Sequence, residues 1–222
     1  MKRATLGFAL ILTFALAAQV AFAQQAEIEE HPFEVGGQLT FVSLGSLKSI
    51  AMVPNATISF SQFDRSYGGI GGRLGYNFNR YLALEAEGNF IPKRNFSEGE
   101  QSRKAQLLAG IKAGVREERF GIFAKARSGV MYFSSIPSHA NCTFTSLLNF
   151  SCIEQSQTNF AFDIGGVFEY YPSSRAIIRI DAGDTLVRFK EAGPTTIFNS
   201  SIFTPAATTH NAQVSLGFSY RF

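Results

Sequence analysis

The final segment of the chain, Asn211 to Phe222 (NAQVSLGFSYRF), alternates without interruption between apolar residues and polar or small ones. The apolar positions run from Val214 to Phe222, so every second side chain falls on one face. A period of two predicts a β-strand whose two faces meet different environments. A strand that stops on an aromatic residue also needs a neighbour for its backbone. Closure of the sheet into a barrel supplies one, because the last strand then pairs with the first.

The other end of the chain carries the three parts of a secretory signal peptide. Lys2 and Arg3 are positive, Leu6 to Ala18 is apolar, and Ala21-Phe22-Ala23 is an A-x-A cleavage site. We therefore expect residues 1–23 to be removed. The apolar run is too short to cross a bilayer comfortably as a helix. Residues 24–32 are acidic and lack periodicity, and we interpret them as a periplasmic lead-in to a single domain over residues 33–222.

Eight segments of the chain show the same alternation and are predicted strands. They are Phe33–Val42, Tyr67–Phe78, Tyr81–Ile91, Lys104–Val115, Phe120–Phe133, Thr158–Tyr171, Arg175–Phe189 and Asn211–Phe222. The connections between them alternate between long and short, as in outer-membrane barrels, which have long extracellular loops and short periplasmic turns. Three of the long loops are predicted at Ser43–Ser66, Ser134–Gln157 and Glu191–His210. Within the seventh strand the alternation changes parity after Gly183, so that Thr185, Val187 and Phe189 join the apolar face, which predicts a β-bulge there.

The distribution of charge distinguishes a membrane barrel from a soluble one. With the strands set in this register, the apolar face carries no charged residue, as contact with lipid requires. The opposite face carries six residues of each sign, and in a narrow lumen such charges must be paired. An eight-stranded barrel is just wide enough for side chains to fill. We therefore predict a lumen plugged by ion pairs among Glu34, Arg73, Glu85, Glu87, Lys112, Lys125, Arg127, Asp163, Glu169, Arg179, Asp181 and Arg221.

The run Gly71 to Phe90 (GGRLGYNFNRYLALEAEGNF), together with the terminal strand and the signal peptide, resembles the small outer-membrane β-barrel family. That family includes the OmpA transmembrane domain and OmpX. The resemblance implies an all-β, eight-stranded, antiparallel, up-and-down transmembrane barrel in the bacterial outer membrane, with both termini periplasmic. It also implies contact with outer-membrane lipid and recognition of the strand Val214–Phe222 by the barrel-assembly machinery. The chain ends at the barrel, so we do not expect the cell-wall anchoring role of OmpA.

The two cysteines of the chain, Cys142 and Cys152, fall in one predicted extracellular loop. In an exported protein such a pair predicts a disulfide bond, worth about 2–3 kcal/mol for so short a loop. The bond either rigidifies a binding loop or protects the loop from proteolysis. A metal site is not expected, because His139 is the only histidine nearby.

We expect a structural or surface-interaction role, carried by the extracellular loops of a monomer without enzymatic activity or cofactor. The net charge of +3 gives no support to nucleic-acid binding. Two alternatives stay open. One is a small, narrow channel. The other is a lipid A-modifying enzyme, which would need a Ser–His pair at the outer rim. The sequence offers Ser138 beside His139, and Ser200 and Ser201 in the loop before His210.

Overall fold

A computed structural model describes residues 31–53, 56–62, 65–93, 102–146, 149–197 and 200–222. The predicted signal peptide (1–23) and most of the predicted lead-in (24–32) lie outside these ranges, and both stay predictions. Within the described ranges, no helix is long and apolar enough to cross a bilayer.

The described chain is built from antiparallel β-strands in two sheets. The strands are β1 (Phe33–Leu44), β2 (Leu47–Val53), β3 (Ala56–Gln62), β4 (Arg65–Asn77), β5 (Leu82–Ile91), β6 (Lys104–Arg116), β7 (Phe120–Ser146), β8 (Asn149–Tyr170), β9 (Ala176–Phe189), β10 (Ala192–Ile197), β11 (Ser200–Thr204) and β12 (Ala207–Arg221). Eight of them close into a barrel in the order β1-β12-β9-β8-β7-β6-β5-β4. The other four form a sheet in the order β10-β11-β2-β3. The predicted fold class, a closed eight-stranded antiparallel barrel, is confirmed.

The stagger of the strands sets the tilt of the barrel. A row of paired residues followed once around the wall starts at Ser66 of β4 and returns to β4 at Tyr76, ten residues farther on. The row passes through Ser43, Ala212, Asp184, Ile164, Ala126, Ile111 and Leu84. A stagger of ten over eight strands corresponds to a tilt of about 40° from the barrel axis at standard strand spacings.

The barrel has two distinct ends. At the turn end, three short connections join neighbouring strands, and the backbones of Phe33 and Phe222 exchange hydrogen bonds of 3.2 and 2.9 Å. At the loop end lie the second sheet and the extensions of β7 and β8. The outward-facing apolar band on β12 runs from Phe222 to the position of Ala212. Ten residues at a 40° tilt span about 25 Å, the height of the apolar band of an outer-membrane barrel.

We call the ring of outward-facing residues at the upper edge of this band the border. It consists of Ser43, Ser66, Pro92, Arg103, Ser134, Thr158, Asp184 and Ala212. Below the border the outer wall is apolar, with Phe41, Ile70 and Phe218 each more than half exposed. Polar, charged and small residues take over at the border itself.

The three predicted loops contain more strand than the sequence indicated. Most of Ser43–Ser66 and Glu191–His210 lies in β2, β3, β10, β11 and the start of β12, and Ser134–Gln157 continues β7 and β8 to Ser146 and Asn149. Alternation is a signal of two different solvents. Above the border both faces of a strand meet water, so the alternation fades although the backbone groups still pair.

The bulge predicted at Gly183 is wrong. β9 keeps an unbroken register with both β8 and β12 through this residue. Val187 and Phe189 point into the barrel and are almost completely buried, whereas Asp184 and Arg188 lie on the outer wall. The strand passes the border here, so its exterior changes from lipid to water and its interior becomes an apolar core. The same change corrects the expectation that the outer face carries no charge.

Candidate functional site

The inward-facing side chains of the barrel are arranged in three layers. An ionic layer occupies the half nearer the turn end, a polar layer lies above it, and an apolar layer fills the loop end. All twelve predicted lumen residues point inward, and each is at most 8% exposed. The layers are clearest in the sequence on β1, β5 and β9, where the inward positions change from charged to amide or hydroxyl and then to apolar along the barrel axis.

The ionic layer contains six acidic and six basic residues joined by ion pairs. The acidic ones are Glu34, Glu85, Glu87, Asp163, Glu169 and Asp181; the basic ones are Lys112, Arg116, Lys125, Arg127, Arg179 and Arg221. Seven of the eight barrel strands contribute at least one of them. The network therefore ties together strands that are not neighbours in the sheet.

Arg179 lies at the centre of the ionic layer. Its guanidinium forms two ion pairs with Glu85, one of which has Nη2 to Oε2 at 2.9 Å. It also donates to Asp181 at 2.7 Å and lies 3.4 Å from Glu169. Lys112 contacts the same two glutamates, with Nζ 2.5 Å from Glu169 and 3.1 Å from Glu85. Glu85 and Glu169 are thus each shared by at least two cations, which satisfies more of their lone pairs than a single ion pair would.

A second group of ion pairs joins β7, β8 and β9 and also includes Glu87 of β5. Arg127 donates to Asp163 at 3.0 and 2.7 Å and also pairs with Glu87. Lys125 lies 2.9 Å from Asp163 and pairs with Asp181. The inward position of Gly183 leaves room for this lysine, because a Cβ there would lie only 3.1 Å from Lys125 Cε.

The turn end of the ionic layer closes the seam between the first and last strands. Arg221 of β12 donates to Glu34 of β1 through Nε and Nη2 at 3.1 and 2.8 Å. Arg116 lies 3.5 Å from Glu34. It was not among the predicted lumen residues, because the predicted strand ended at Val115 and left Arg116 in the following turn. Its Nε donates to the Tyr171 hydroxyl at 3.1 Å, and Tyr171 donates to Glu169 at 2.7 Å. A buried arginine and tyrosine therefore extend the network beyond the residues that alternation selected.

Arg73 departs from its predicted role. Its guanidinium donates to Gln38 Oε1 at 3.1 Å and to Ser219 Oγ at 2.8 Å, and none of the ion pairs among the described residues includes it. Arg73 faces strands β1 and β12, whose inward residues at this level are amide, hydroxyl and glycine. The sequence could not reveal this, because partners across a barrel depend on the stagger of the strands.

The polar layer is a chain of side-chain amides across the lumen. Gln38 donates to Asn89 at 2.8 Å, Asn89 donates to Gln106 at 2.8 Å, and Gln106 donates to Gln213 at 3.1 Å. Asn89 and Gln213 also donate to Glu87 at 2.7 and 3.3 Å. The amides therefore join β1 and β12 to β5 and β6 across the lumen, and they connect this layer to Glu87 of the ionic layer.

The apolar layer was not predicted from the sequence. It consists of Val42, Leu44, Leu47, Tyr67, Ile91, Leu108, Met131, Phe133, Ile136, Ala161, Val187 and Phe189. Phe133 and Phe189 pack with ring centroids 5.4 Å apart. Fully buried Lys104 places Nζ 3.8 Å from the centroid of the Tyr67 ring, a cation–π contact. This layer separates the ionic layer from the solvent at the loop end.

The second sheet lies at the loop end beyond the apolar layer. Among the described strands, β3 pairs only with β2, so its other edge presents backbone groups outward. Met52 of β2 and Ile58 of β3 are 47% and 45% exposed. An open edge with exposed apolar side chains is the kind of surface to which an extended segment can add as a further strand.

The remaining candidate residues lie at the loop end. Cys142 and Cys152 are direct partners in the β7–β8 register, and their side chains lie outside the described residues. Ser138, His139, Ser200 and Ser201 also have side chains outside that part of the chain. The described residues contain no group of three or more histidine, cysteine, aspartate or glutamate side chains able to hold a metal ion.

Among the described residues, His210 is exposed on the outer wall and has a defined side-chain contact. Its Nδ1 lies 2.6 Å from Asp184 Oδ2 at the border, and the other oxygen of Asp184 accepts from the Asn211 amide at 2.9 Å. A histidine oriented by a carboxylate is part of a hydrolytic triad, but the hydrogen bonds of the described residues join no serine to this pair.

Comparison with known proteins places the sequence in a family. A model of the outer membrane protein β-barrel domain matches residues 8–222. A search of curated proteins gave no match. Among solved structures, the chain is similar to the attachment invasion locus protein Ail of Yersinia pestis, with 14% identity, coverage of 86% of this chain and 99% of Ail, and a TM-score of 0.39.

Two further structures cover the same share of this chain, 86%. OprG from Pseudomonas aeruginosa is 14% identical, is covered over 96% of its length, and has a TM-score of 0.42. Neisserial surface protein A is 13% identical, is covered over 97%, and has a TM-score of 0.47. Because the family model spans almost the whole sequence, the chain belongs to the outer membrane protein β-barrel family.

Proposed function

We propose that this protein is a surface-interaction module in which a plugged barrel holds a recognition sheet outside the cell. The sheet is formed by β2, β3, β10 and β11, and the partner is an extended protein segment that adds to the open edge of β3. In this proposal the loop end is extracellular, the turn end and both termini are periplasmic, and the protein acts as a monomer. The signal peptide directs export, and the barrel-assembly machinery recognises Val214–Phe222.

The observation that carries the proposal is the ordered sheet of four strands where the sequence predicted loops. A scaffold that fixes the edge of β3 before contact reduces the ordering cost of binding. Thr57, Ile58 and Ser59 are all exposed on this strand, and their backbone is the available edge. Main-chain hydrogen bonds then give affinity, and alternate side chains give specificity.

The filled interior supports a scaffold role over a channel. The largest fully buried side chains of the described chain include five cations of the lumen: Arg127, Arg179, Lys104, Lys112 and Lys125. Moving an ion through the barrel would require breaking several buried ion pairs at once, which is costly in a medium of low dielectric. We therefore expect no stepwise conductance in planar bilayers, and regular single-channel steps would favour the channel instead.

The experiment uses the barrel in lipid nanodiscs and a phage library of random seven-residue peptides. We expect enrichment of sequences with alternating β-forming residues, since these complete a strand beside β3. In the control variant, residues 50–59 are replaced by Asn-Gly. Ser49 and Phe60 are cross-strand partners, so a two-residue turn can close the shortened hairpin. This variant removes the distal halves of β2 and β3, including the three residues of β2 that pair with β11, and leaves the barrel strands intact.

Two outcomes separate this proposal from its competitors. Equal enrichment on the full protein and on the shortened variant would show that the edge of β3 is not the binding surface. The Asp184–His210 pair leaves lipid A hydrolysis as the second candidate. We expect lipid A to keep all its acyl chains after incubation with the protein, as judged by mass spectrometry. Loss of a chain that His210→Ala abolishes would establish the enzyme.

We also propose that Cys142 and Cys152 form a disulfide bond, since their Cα positions are paired in the β7–β8 hairpin. Replacing both by serine is expected to accelerate chymotrypsin cleavage of this hairpin, because a bond across so short a loop is worth about 2–3 kcal/mol. Mass spectrometry of unreduced peptides measures the bond directly. The barrel itself keeps its heat-modifiable migration in detergent gels. Cleavage at an unchanged rate would contradict a protective role.

A further inference from the structure

A groove runs down the outer wall of the barrel from the border. It has a volume of about 320 Å³ and lies between β1, β4 and β5. Its walls are apolar: Leu39 and Phe41 on β1, Gly68 and Ile70 on β4, and Phe90 and Pro92 at the end of β5. Leu39 is four residues below border residue Ser43, so the groove reaches about 10 Å into the apolar band at the strand tilt of this barrel.

The groove exists because β4 presents a glycine, Gly68, outward beside Phe41 and two residues from the level of Phe90. Gly68 is the register partner of Phe41, and its neighbour on the same face, Ile70, is the partner of Phe90. A Cβ on Gly68 would lie 3.6 and 3.8 Å from carbons of the Phe41 ring, which is ordinary van der Waals contact. A larger side chain therefore fits there without disturbing the backbone, and it would fill the groove.

The upper end of the groove carries positive charge. Lys93 follows groove residue Pro92 directly and is exposed. Across the β5–β6 ladder, Ile91 pairs with Lys104, which brings exposed Arg103 to the level of Pro92. Two exposed cations thus lie next to Pro92, one following it in the chain and one opposite it across the β5–β6 ladder, at the upper end of the apolar groove. A chain-shaped apolar group with an anionic head matches this arrangement.

We propose that the groove binds one acyl chain of a phosphorylated glycolipid of the outer leaflet, with a phosphate of its headgroup at Lys93 and Arg103. The assignment uses the orientation given under the proposed function, in which the loop end is extracellular, and is otherwise independent of the β3 edge. A lipid with several acyl chains and phosphates gains from both parts of the site at once. Ordinary annular lipid would contact all sides of the wall equally.

The test is native mass spectrometry of the full protein in detergent micelles supplied with lipid A, phosphatidylglycerol or phosphatidylethanolamine. The wild-type protein is expected to retain one lipid A. Gly68→Leu is expected to retain at least about tenfold less lipid A. This loss corresponds to about two CH₂ groups of the acyl chain that no longer contact the groove. Gly72→Leu is the matched control, because Gly72 also faces outward on β4. A Cβ added at Gly72 would lie 3.6 Å from its nearest neighbour, the carbonyl oxygen of Gly36, so this position also accepts a side chain.

A second pair of measurements locates the lipid. Lys93→Gln combined with Arg103→Gln is expected to reduce lipid A retention and to leave phosphatidylethanolamine retention unchanged. A lipid A analogue with a photoactivatable acyl chain should label peptides containing Phe41 or Phe90. The proposal is overturned if Gly68→Leu retains as much lipid A as Gly72→Leu, if phosphatidylglycerol is retained as well as lipid A, or if labelling is uniform around the barrel. Heat-modifiable migration establishes that each variant is folded.

Discussion

Replacing Arg179 with methionine is expected to destabilise the folded barrel by about 3–5 kcal/mol, the cost of leaving buried carboxylates without their cation. Arg179 is 1% exposed and contacts Glu85, Glu169 and Asp181. Lys112 also contacts Glu85 and Glu169, and Lys125 also contacts Asp181, so after the change these lysines neutralise only part of the carboxylate charge. The free energy of unfolding is measured by urea titration of the protein in phospholipid vesicles.

The matched control for this change is Arg188→Met on the same strand. Arg188 lies on the outer wall above the border, where its hydrogen bond to Thr208 is exposed, so we expect a change within about 0.5 kcal/mol. Combining Arg179→Met with Glu85→Leu should cost less than the sum of the two single changes, since the pair leaves together. Equal costs for Arg179→Met and Arg188→Met would show that the ionic layer is hydrated and not buried.

Replacing Leu216 with arginine is expected to cost about 2–4 kcal/mol, because the side chain lies midway along the apolar band of β12 and faces the bilayer core. Leu216 is 51% exposed on the outer wall and pairs with Leu39 and Ile180 of the neighbouring strands. The same vesicle titration measures the effect.

Ala212→Arg provides the depth control for Leu216→Arg. Ala212 faces outward on the same strand but lies at the border, where an arginine is expected to cost only about 0–1 kcal/mol. A soluble barrel with water on this wall would tolerate both changes equally. Equal costs at the two positions would therefore contradict the placement of the membrane along β12.

Much of the barrel could be predicted because each strand separates two solvents. Alternation assigned Phe218 to the outside and Ser219 to the inside without any knowledge of their neighbours, and the same rule selected the charged residues of the lumen. It did not supply partners. Arg73 bonds to Gln38 and Ser219 across a seam whose stagger no single strand encodes.

The rule also fails where the solvent changes. Val187 and Phe189 were assigned to the lipid side because they are apolar, yet they lie inside. Above the border the protein follows the ordinary rule of soluble proteins, with apolar residues in and charges out. Arg116 was missed for a related reason. It lies at the turn end of β6, where a charged residue suggests a turn, and its side chain reaches back to Glu34 and Glu169.

The pairing of β1 with β12 has a kinetic consequence. Five of the eight neighbouring strand pairs in the barrel are consecutive in the chain. Two more pairs, β1 with β4 and β9 with β12, are connected through two strands of the second sheet. The contact between Glu34 and Arg221 instead spans 187 positions, so its loop-closure entropy exceeds that of a 20-residue hairpin by about 2 kcal/mol. We therefore expect closure of this seam to be the slow, non-local step of folding. The Glu34–Arg221 ion pair, formed last, would act as a latch that slows reopening more than it speeds closure.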